Sequence, residues 1–526
     1  MRWPESLRAE IQRHQQDWLL LAVIIGIGAA FRLYHLDTFS IWRDEAQTIF
    51  LARHSCPSGI LQALKQADVS PPLYYFLLHF WDRAFGTDWG LRFFSVAFGL
   101  VTIPVVYWVG RKLFDSEVAL VAALAAALSP HHIVVSRTVR MYTFLPLASL
   151  LAVYFVHQFV IVSSSNDQAR SRRIAWWGLV VSFTVLLYTH NVGAFFILAA
   201  NCFFLWEMLW RRETRKLLWP WVTAQLCVAL LYAPWVATFM EQLRSQGAVM
   251  GPWLAQQSRF SNALRLFGEL TGLAWPGGRP WLWMAICALG AFTIRLRPRF
   301  VACCLRFSTS LNLILCCFVG PIVLAALLTP LTIGKIPSYV TLVAFPAMCY
   351  LVGRAIQAVR PRMLSPLVLV VLSVVWVGTV SVTYVRRTSN LREIAAYVSE
   401  NIGARDMIVI APDYLASTFN YYYTGSQAQV AFPSTFGRVE DITWVGWAEK
   451  WETVDQAVGR TVRYLAAELV GPRRLWFIVP LGAYPDDPYF SQIRVLKGRL
   501  DDVYGPAQFV NGFPPAVESA EIYVYR

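Results

Sequence analysis

The chain has 526 residues, 56% hydrophobic and only 15% charged, with a net charge of +14. A soluble domain averages about 25% charged residues, and here the apolar residues come in long runs, which sets aside a soluble globular domain and predicts a polytopic membrane protein. The excess of Lys and Arg calls for no nucleic-acid partner, because inner-membrane proteins collect these residues in their cytoplasmic loops.

Arg2, Arg8 and Arg13 precede the first apolar run, at about 18–36, and no small-residue cleavage site follows it, so an uncleaved first helix is expected. Further runs long enough to cross ~30 Å of hydrocarbon lie at 91–110, 117–135, 140–162, 174–190, 192–210, 217–238, 281–294, 309–330, 338–356 and 364–384. Together they predict about eleven transmembrane helices. The connecting loops alternate in basic charge. Arg111-Lys112, Arg170 to Arg173, Arg211 to Lys216, Arg295 to Arg306 and Arg354 to Arg362 fall on the same side as the N-terminal arginines. The positive-inside rule makes that side cytoplasmic. The N-terminus is then cytoplasmic, and the loop 37–90 and everything after about 385 face outward. The nine cysteines lie mostly in apolar segments, where a buried, inert role suits them, and none follows Cys349. The C-terminal region therefore has neither a disulfide framework nor a thiolate metal site.

The first outward loop opens on Trp42-Arg43-Asp44-Glu45-Ala46. One reading of the acidic pair is catalytic: one carboxylate deprotonates an acceptor hydroxyl and the other orients the acceptor or binds a cation. The other is a helix start, since acids suit the first turn of Ala46-Gln47-Thr48-Ile49-Phe50. Downstream, Asp68-Val69-Ser70-Pro71-Pro72 leads into an aromatic segment through Trp81 that reads as a Pro-started amphipathic helix at the membrane surface. Ser136-Arg137-Thr138-Val139-Arg140-Met141-Tyr142 opens a span at the outer face. Arginine forks match phosphate geometry, so Arg137 or Arg140, with Tyr142, is a candidate phosphate holder; snorkelling at the headgroups is the bland alternative. His190 ends a span and reads either as a ligand or as an interfacial cap. Lys335 is the only base in its short outer turn, either a phosphate partner or a surface lysine.

The region 386–526 changes composition, mixing helix-like segments such as Leu391 to Asn401 with short β-type runs at Met407-Ile410 and Leu475-Val479. It reads as a small extracytoplasmic α/β domain, after a transmembrane domain over 1–385. The span centres carry almost no charge, which argues against a transporter or flippase with midplane ionisable groups. A non-catalytic membrane scaffold is the other alternative.

In the order Trp42-Arg43-Asp44-Glu45-Ala46, Pro71-Pro72-Leu73-Tyr74-Tyr75, Arg137-Thr138-Val139-Arg140-Met141-Tyr142 and Tyr188-Thr189-His190, the chain resembles the bacterial members of glycosyltransferase family 39. These are relatives of the protein O-mannosyltransferases, the aminoarabinose transferases of lipid A and the Rgt-type galacturonosyltransferases. The resemblance covers about residues 18–385, and more loosely the C-terminal domain. It implies a GT-C fold and a bacterial inner-membrane location. It also implies a sugar donor on a polyprenyl phosphate and inverting transfer on the extracytoplasmic side to a glycolipid, glycan or protein. Asp44 matches the family's catalytic aspartate, Glu45 its acidic partner, and Arg140 with Tyr142 its donor-phosphate region. Two departures stand out. Ser70 occupies a position where many relatives have His, which puts in doubt any divalent-metal site built on it, with Asp68 just upstream. Ser338-Tyr339 replaces an Arg-Tyr pair, leaving Lys335 as the nearby point charge and Tyr339 as a substrate-binding candidate.

Overall fold

The computed structural model describes residues 5–162, 169–254, 308–328, 339–385, 387–433, 435–440, 454–468, 473–481 and 488–526. Lys335 and the expected span at 281–294 lie outside them. The helices up to residue 385 are α1 (Glu5–Leu33), α2 (Arg43–Arg53), α3 (Ser58–Ala67), α4 (Leu73–Phe85), α5 (Asp88–Leu113), α6 (Ser116–Leu128), α7 (Pro130–Ser136), α8 (Phe144–Val162), α9 (Ala169–Thr189), α10 (Gly193–Trp210), α11 (Arg212–Arg215), α12 (Leu218–Leu254), α13 (Thr309–Leu328), α14 (Val340–Ala358) and α15 (Leu364–Val385). Among the described residues, eight helices are long and apolar enough to cross a membrane, or nine if α6 and α7 are one span bent by 55°. The expected count was eleven. One expected span lies outside the described residues, and the other is α9, which Arg170, Arg172 and Arg173 keep below the apolar threshold.

The α6–α7 bend has a local cause. Pro130 opens α7 and has no N–H, so it cannot bond back to the end of α6, and Ser129 caps α7 by accepting from His132 N at 3.4 Å. The carbonyls this exposes are met by Arg32. Its Nη2 donates to Ala126 O at 2.9 Å and its Nη1 to Ala127 O at 2.9 Å. The remaining N–H groups reach Gly28 O, His132 Nδ1 and Ser136 Oγ. A charged side chain buried in a span is costly. Here all five guanidinium donors are occupied, and the charge sits at the negative end of a helix.

The loop 37–90 is largely helical. The segment Ala46–Phe50 lies in α2 and the aromatic run starts α4 behind Pro72, as the proline and acidic start signals predict. Arg92 of α5 clamps this loop to the bundle. Its Nε and Nη2 make a two-pronged ion pair with Glu45 at 3.0 and 2.8 Å, and its other N–H groups hold the carbonyls of Leu36, Phe39 and Ser40. Both side chains are under 5% exposed.

Residues beyond 387 build a six-stranded sheet from β1 (Met407–Ile410), β2 (Gln429–Ala431), β3 (Thr435–Phe436), β4 (Leu475–Pro480), β5 (Gln508–Val510) and β6 (Ala520–Tyr525), in the order β3-β2-β1-β4-β6-β5. β1 is central, parallel to β2 and β4, while the other pairings are antiparallel. An apolar run without alternation is what a strand covered on both faces requires. Side chains alternate between the two faces: Ile408, Ile410 and Trp476 pack with α16 (Leu391–Asn401) and α17 (Tyr414–Tyr422). Met407, Val409 and Phe477 pack with α18 (Val454–Glu468) and α19 (Pro488–Tyr504).

This unit rests on the helical bundle through polar contacts. Asp88, in the first turn of α5, accepts from Arg392 Nη2 at 2.6 Å and from the hydroxyls of Tyr421 and Tyr422 at 2.8 Å each. The Tyr422 hydroxyl in turn accepts from Ile41 N at 2.7 Å, just before α2.

Removing one partner of a buried ion pair strands the other charge and costs about 3–5 kcal/mol. Arg92→Ala should therefore sharply lower the thermal-inactivation midpoint in detergent. Hydrogen exchange in residues 36–48 should rise before exchange in α8. Unchanged exchange there would mean that Arg92 does not hold the loop.

Candidate active site

Four segments converge at one end of the bundle: the first turn of α2, the stretch before α4, the turn between α7 and α8, and the start of α14. Their relative placement follows from Glu45. Besides Arg92 it accepts from Val139 N at 2.9 Å and from Trp42 N at 3.3 Å. One carboxylate thus ties the α2 entry, α5 and the 137–143 turn together. That turn is fixed a second time by α5, where Ser95 donates to Arg140 O at 3.3 Å and accepts, through its carbonyl, from Thr143 Oγ1 at 2.9 Å. Of the two adjacent acids, Glu45 is spent on these contacts.

Asp44 differs. Its side chain is 21% exposed, and its one ion pair among the described residues is with Arg43 Nε, at 3.6 Å. Thr48 donates to the Asp44 carbonyl at 2.7 Å and accepts at 2.7 Å from Arg140 Nη1. Arg140 Nη1 also lies 3.6 Å from Asp68 Oδ2 and 3.5 Å from the Tyr75 hydroxyl, while its Nε reaches the Tyr142 hydroxyl at 3.4 Å. Its Nη2 has no hydrogen bond among the described residues. Tyr142 stacks on Tyr339 with ring centroids 4.7 Å apart, and the His190 ring lies 5.1 Å from that of Tyr339. Asp44 acts electrostatically on Arg140, Tyr142 and Tyr339.

Asp68 is buried beneath Arg140. It accepts from Val69 N at 2.6 Å, Ser70 Oγ at 3.2 Å and the Tyr75 hydroxyl at 2.6 Å. Ser70 is a donor to Asp68. Arg137 stands apart from this cluster: it donates to Phe31 O and His35 O and lies 4.5 Å over the Tyr384 ring, joining α1 to α15. Lys335 lies outside the described residues. Among the described residues, no group of three or more His, Cys, Asp or Glu side chains is arranged to hold a metal ion.

Sequence reasoning missed four contributors. Thr48 and Tyr75 look like ordinary helix residues, and Arg92 like a span-end arginine. The fourth is Glu518, two residues before β6, which accepts from Arg43 N at 3.2 Å and places Oε1 3.9 Å from Arg43 Nε. Nothing in the sequence links residues 43 and 518.

Comparison with known proteins bears on this geometry. Residues 69–237 match the family model of dolichyl-phosphate-mannose-protein mannosyltransferases. No curated protein sequence matches the chain. Among solved structures, the Cupriavidus metallidurans ArnT bound to undecaprenyl phosphate is similar with a TM-score of 0.58 at 15% identity, covering 96% of this chain and 98% of that one. The Archaeoglobus fulgidus oligosaccharyltransferase tethered with an acceptor peptide is similar with a TM-score of 0.56 at 12% identity, over 95% of this chain and 74% of that one. At these identities the structures speak for the fold, and the family model covers the segment that carries Ser70, Tyr75, Arg140, Tyr142 and His190. The chain thus shares the fold of these membrane glycosyltransferase structures, and its residues 69–237 are similar to the mannosyltransferase family model.

Proposed function

We propose that the protein transfers a sugar from a polyprenyl-phosphate donor to an acceptor hydroxyl on the outer side of the bacterial inner membrane, with Asp44 as general base. The observation that carries this reading is the asymmetry around Asp44. One acid of the pair is consumed by structural contacts. Its neighbour is left partly exposed beside an arginine, Arg140, whose Nη2 makes no hydrogen bond among the described residues. The two groups are the parts that displacement at a sugar carbon needs.

In this reading the acceptor hydroxyl gives its proton to an Asp44 carboxylate oxygen as its oxygen bonds to the anomeric carbon. The bond from that carbon to the phosphate oxygen breaks, and polyprenyl phosphate leaves carrying the bonding electrons. Arg140 stabilises the charge that develops on the leaving phosphate. Asp68 and Tyr75 hold the arginine in place, and the Tyr142–Tyr339 stack with His190 walls the donor side. Glu45 positions Asp44 and does not act on the substrate. Arg137, engaged with the carbonyls of Phe31 and His35 and with Tyr384, is a framework residue. A polyprenyl tail stays in lipid, so the chemistry belongs at the membrane surface. The ArnT neighbour binds undecaprenyl phosphate, and this supports the donor class assigned here.

Hydrogen bonds to a charged group contribute about 1.5–3 kcal/mol. Arg140→Gln should therefore weaken undecaprenyl phosphate binding in nanodiscs about 10–100-fold, with Arg137→Gln close to wild type. Asp44→Asn should leave that binding within about twofold while lowering transfer about 10²–10⁴-fold. Full transfer by Asp44→Asn would sink the base assignment.

The orientation has a separate check. A reporter fused after residue 390 should score extracytoplasmic, and a cytoplasmic score would place the whole cluster on the wrong side.

A further inference from the structure

One carboxylate of the C-terminal domain, Glu518, reaches the first residue of α2. Glu518 sits in the short segment before β6, and that segment is held by the chain as it leaves the last span: Val517 N donates to Arg387 O at 3.0 Å, Glu518 N donates to Thr388 O at 2.9 Å, and Ser389 forms a bridge with Glu518. The same chain segment is tied to the α2 entry, since Thr388 Oγ1 donates to Ser40 O at 2.9 Å. From this mount the Glu518 side chain, 10% exposed, accepts from Arg43 N. Arg43 is the first residue of α2, and its amide is one of the four that a helix start leaves without an internal partner. An acid at that point also meets the positive end of the helix. The Arg43 guanidinium lies between two carboxylates, its Nε 3.6 Å from Asp44 Oδ1 and 3.9 Å from Glu518 Oε1, with the Tyr414 ring 4.9 Å from its central carbon.

We propose that Glu518 of the C-terminal domain is a positioning residue for Asp44, capping the helix that carries it and sharing Arg43 with it. The inference rests on the reading of Asp44 as the base. It makes the bundle incomplete as a catalyst without the domain that follows it.

The charges give the arrangement a direction in pH. Burial pushes the Glu518 carboxyl up to about 7; Asp44 adds to the rise, while Arg43, the Arg43 amide and Ser389 oppose it. Around Arg43 the other titratable neighbours are Asp44, Tyr414 and Tyr339, and the Arg387–Glu393 ion pair stands beside the mounting segment. Below pH 7 Glu518 is neutral, and of the two flanking carboxylates Asp44 is the one that faces the Arg43 charge. Above pH 7 Glu518 is ionised and takes a share of Arg43, so Asp44 is released. Transfer should therefore rise with pH through a limb centred near 7.

Two measurements on the full-length protein test this. The first needs no knowledge of sugar or acceptor. In phosphatidylethanolamine–phosphatidylglycerol vesicles, dicyclohexylcarbodiimide labels protonated carboxyls in apolar surroundings, and peptide mass spectrometry reads the label at Glu518. The midpoint should lie near pH 7, and Arg43→Gln should move it upward by about one unit or more, the size expected for loss of an adjacent opposite charge. A midpoint below about 5 that ignores Arg43→Gln overturns the proposal. The second follows transfer in the same vesicles with polyprenyl-phosphate sugars extracted from the source cells, read as the mass gained by the co-extracted envelope acceptors. Glu518→Gln should match wild type within about twofold at pH 6, fall about tenfold below it at pH 8, and lose the limb, while Glu518→Asp should keep the limb. A Glu518→Gln profile scaled down equally at every pH would mean a merely structural contact and would also overturn it. Asp44→Asn separates the two readings. If Asp44→Asn abolishes transfer while Glu518→Gln keeps the limb, only this inference has failed. If Asp44→Asn keeps full transfer, the reading beneath it has failed.

Discussion

The arrangement of the candidate site depends on one buried ion pair, Glu45 with Arg92. Two desolvated charges are not in themselves a source of stability, since the cost of removing them from water offsets most of their attraction. What they supply here is position. The guanidinium uses every N–H it has, two on Glu45 and three on the carbonyls that lead into α2. The carboxylate in turn accepts the amide of Val139. The α2 entry and the turn bearing Arg140 are therefore referenced to the same point on α5. Asp44 follows from that point by one residue of helix, and Arg140 by one residue of turn. A shift of α5 relative to either would change both distances together, which is how a site assembled from distant segments keeps its geometry.

The remaining carboxylates divide the other tasks. Asp68 is covered by three donors and turned toward Arg140, so it serves as the arginine's counter-charge. Asp88 receives Arg392 and two tyrosine hydroxyls and seats the C-terminal sheet on the bundle. Glu518 closes the N-terminal end of α2 from the far side of that junction. Asp44 is the acid in this set without a hydrogen-bond donor among the described residues, and a base that must accept a substrate proton needs an unoccupied lone pair in reach.

Much of this was legible in the sequence, for identifiable reasons. The spans declare themselves by length and apolarity, and Pro72 marks a helix start through its missing N–H; the break at Pro130 falls inside the expected span 117–135. The alternation of basic loops puts Asp44, Glu45, Arg137, Arg140, Tyr142, His190 and Lys335 on one face; of these, Arg140 meets Tyr142, and Tyr142 and His190 both lie against Tyr339. Arg137 and Arg140, two arginines three residues apart, are equivalent by composition, and the family resemblance points to Arg140. The tight turn separates them, sending one to the end of α1 and the other toward Thr48 and Tyr75. Composition alone does not separate Asp44 from Glu45; the family resemblance favours Asp44 as the base, and the engagement of Glu45 by Arg92 is a long-range pairing that composition cannot show. Glu518 lay beyond reach for the same reason: 475 residues separate it from Arg43.

That last distance bears on how such a molecule can be built from weakly related parts. The match to the family model ends at residue 237, and the candidate-site residues before α4 and around Arg140 have their partners in the bundle. A second domain can join such a core by covering a helix end that was already in need of an acceptor. The amide of Arg43 must be satisfied by something, and water at the membrane surface would serve. Replacing that water by a carboxylate on a folded sheet adds a charge beside Asp44, the proposed base. It thereby couples the chemistry of the bundle to the seating of the domain, without adding a residue to the substrate surface. A GT-C bundle with a different outer domain would then be expected to satisfy the same helix start in another way, with a different dependence on pH.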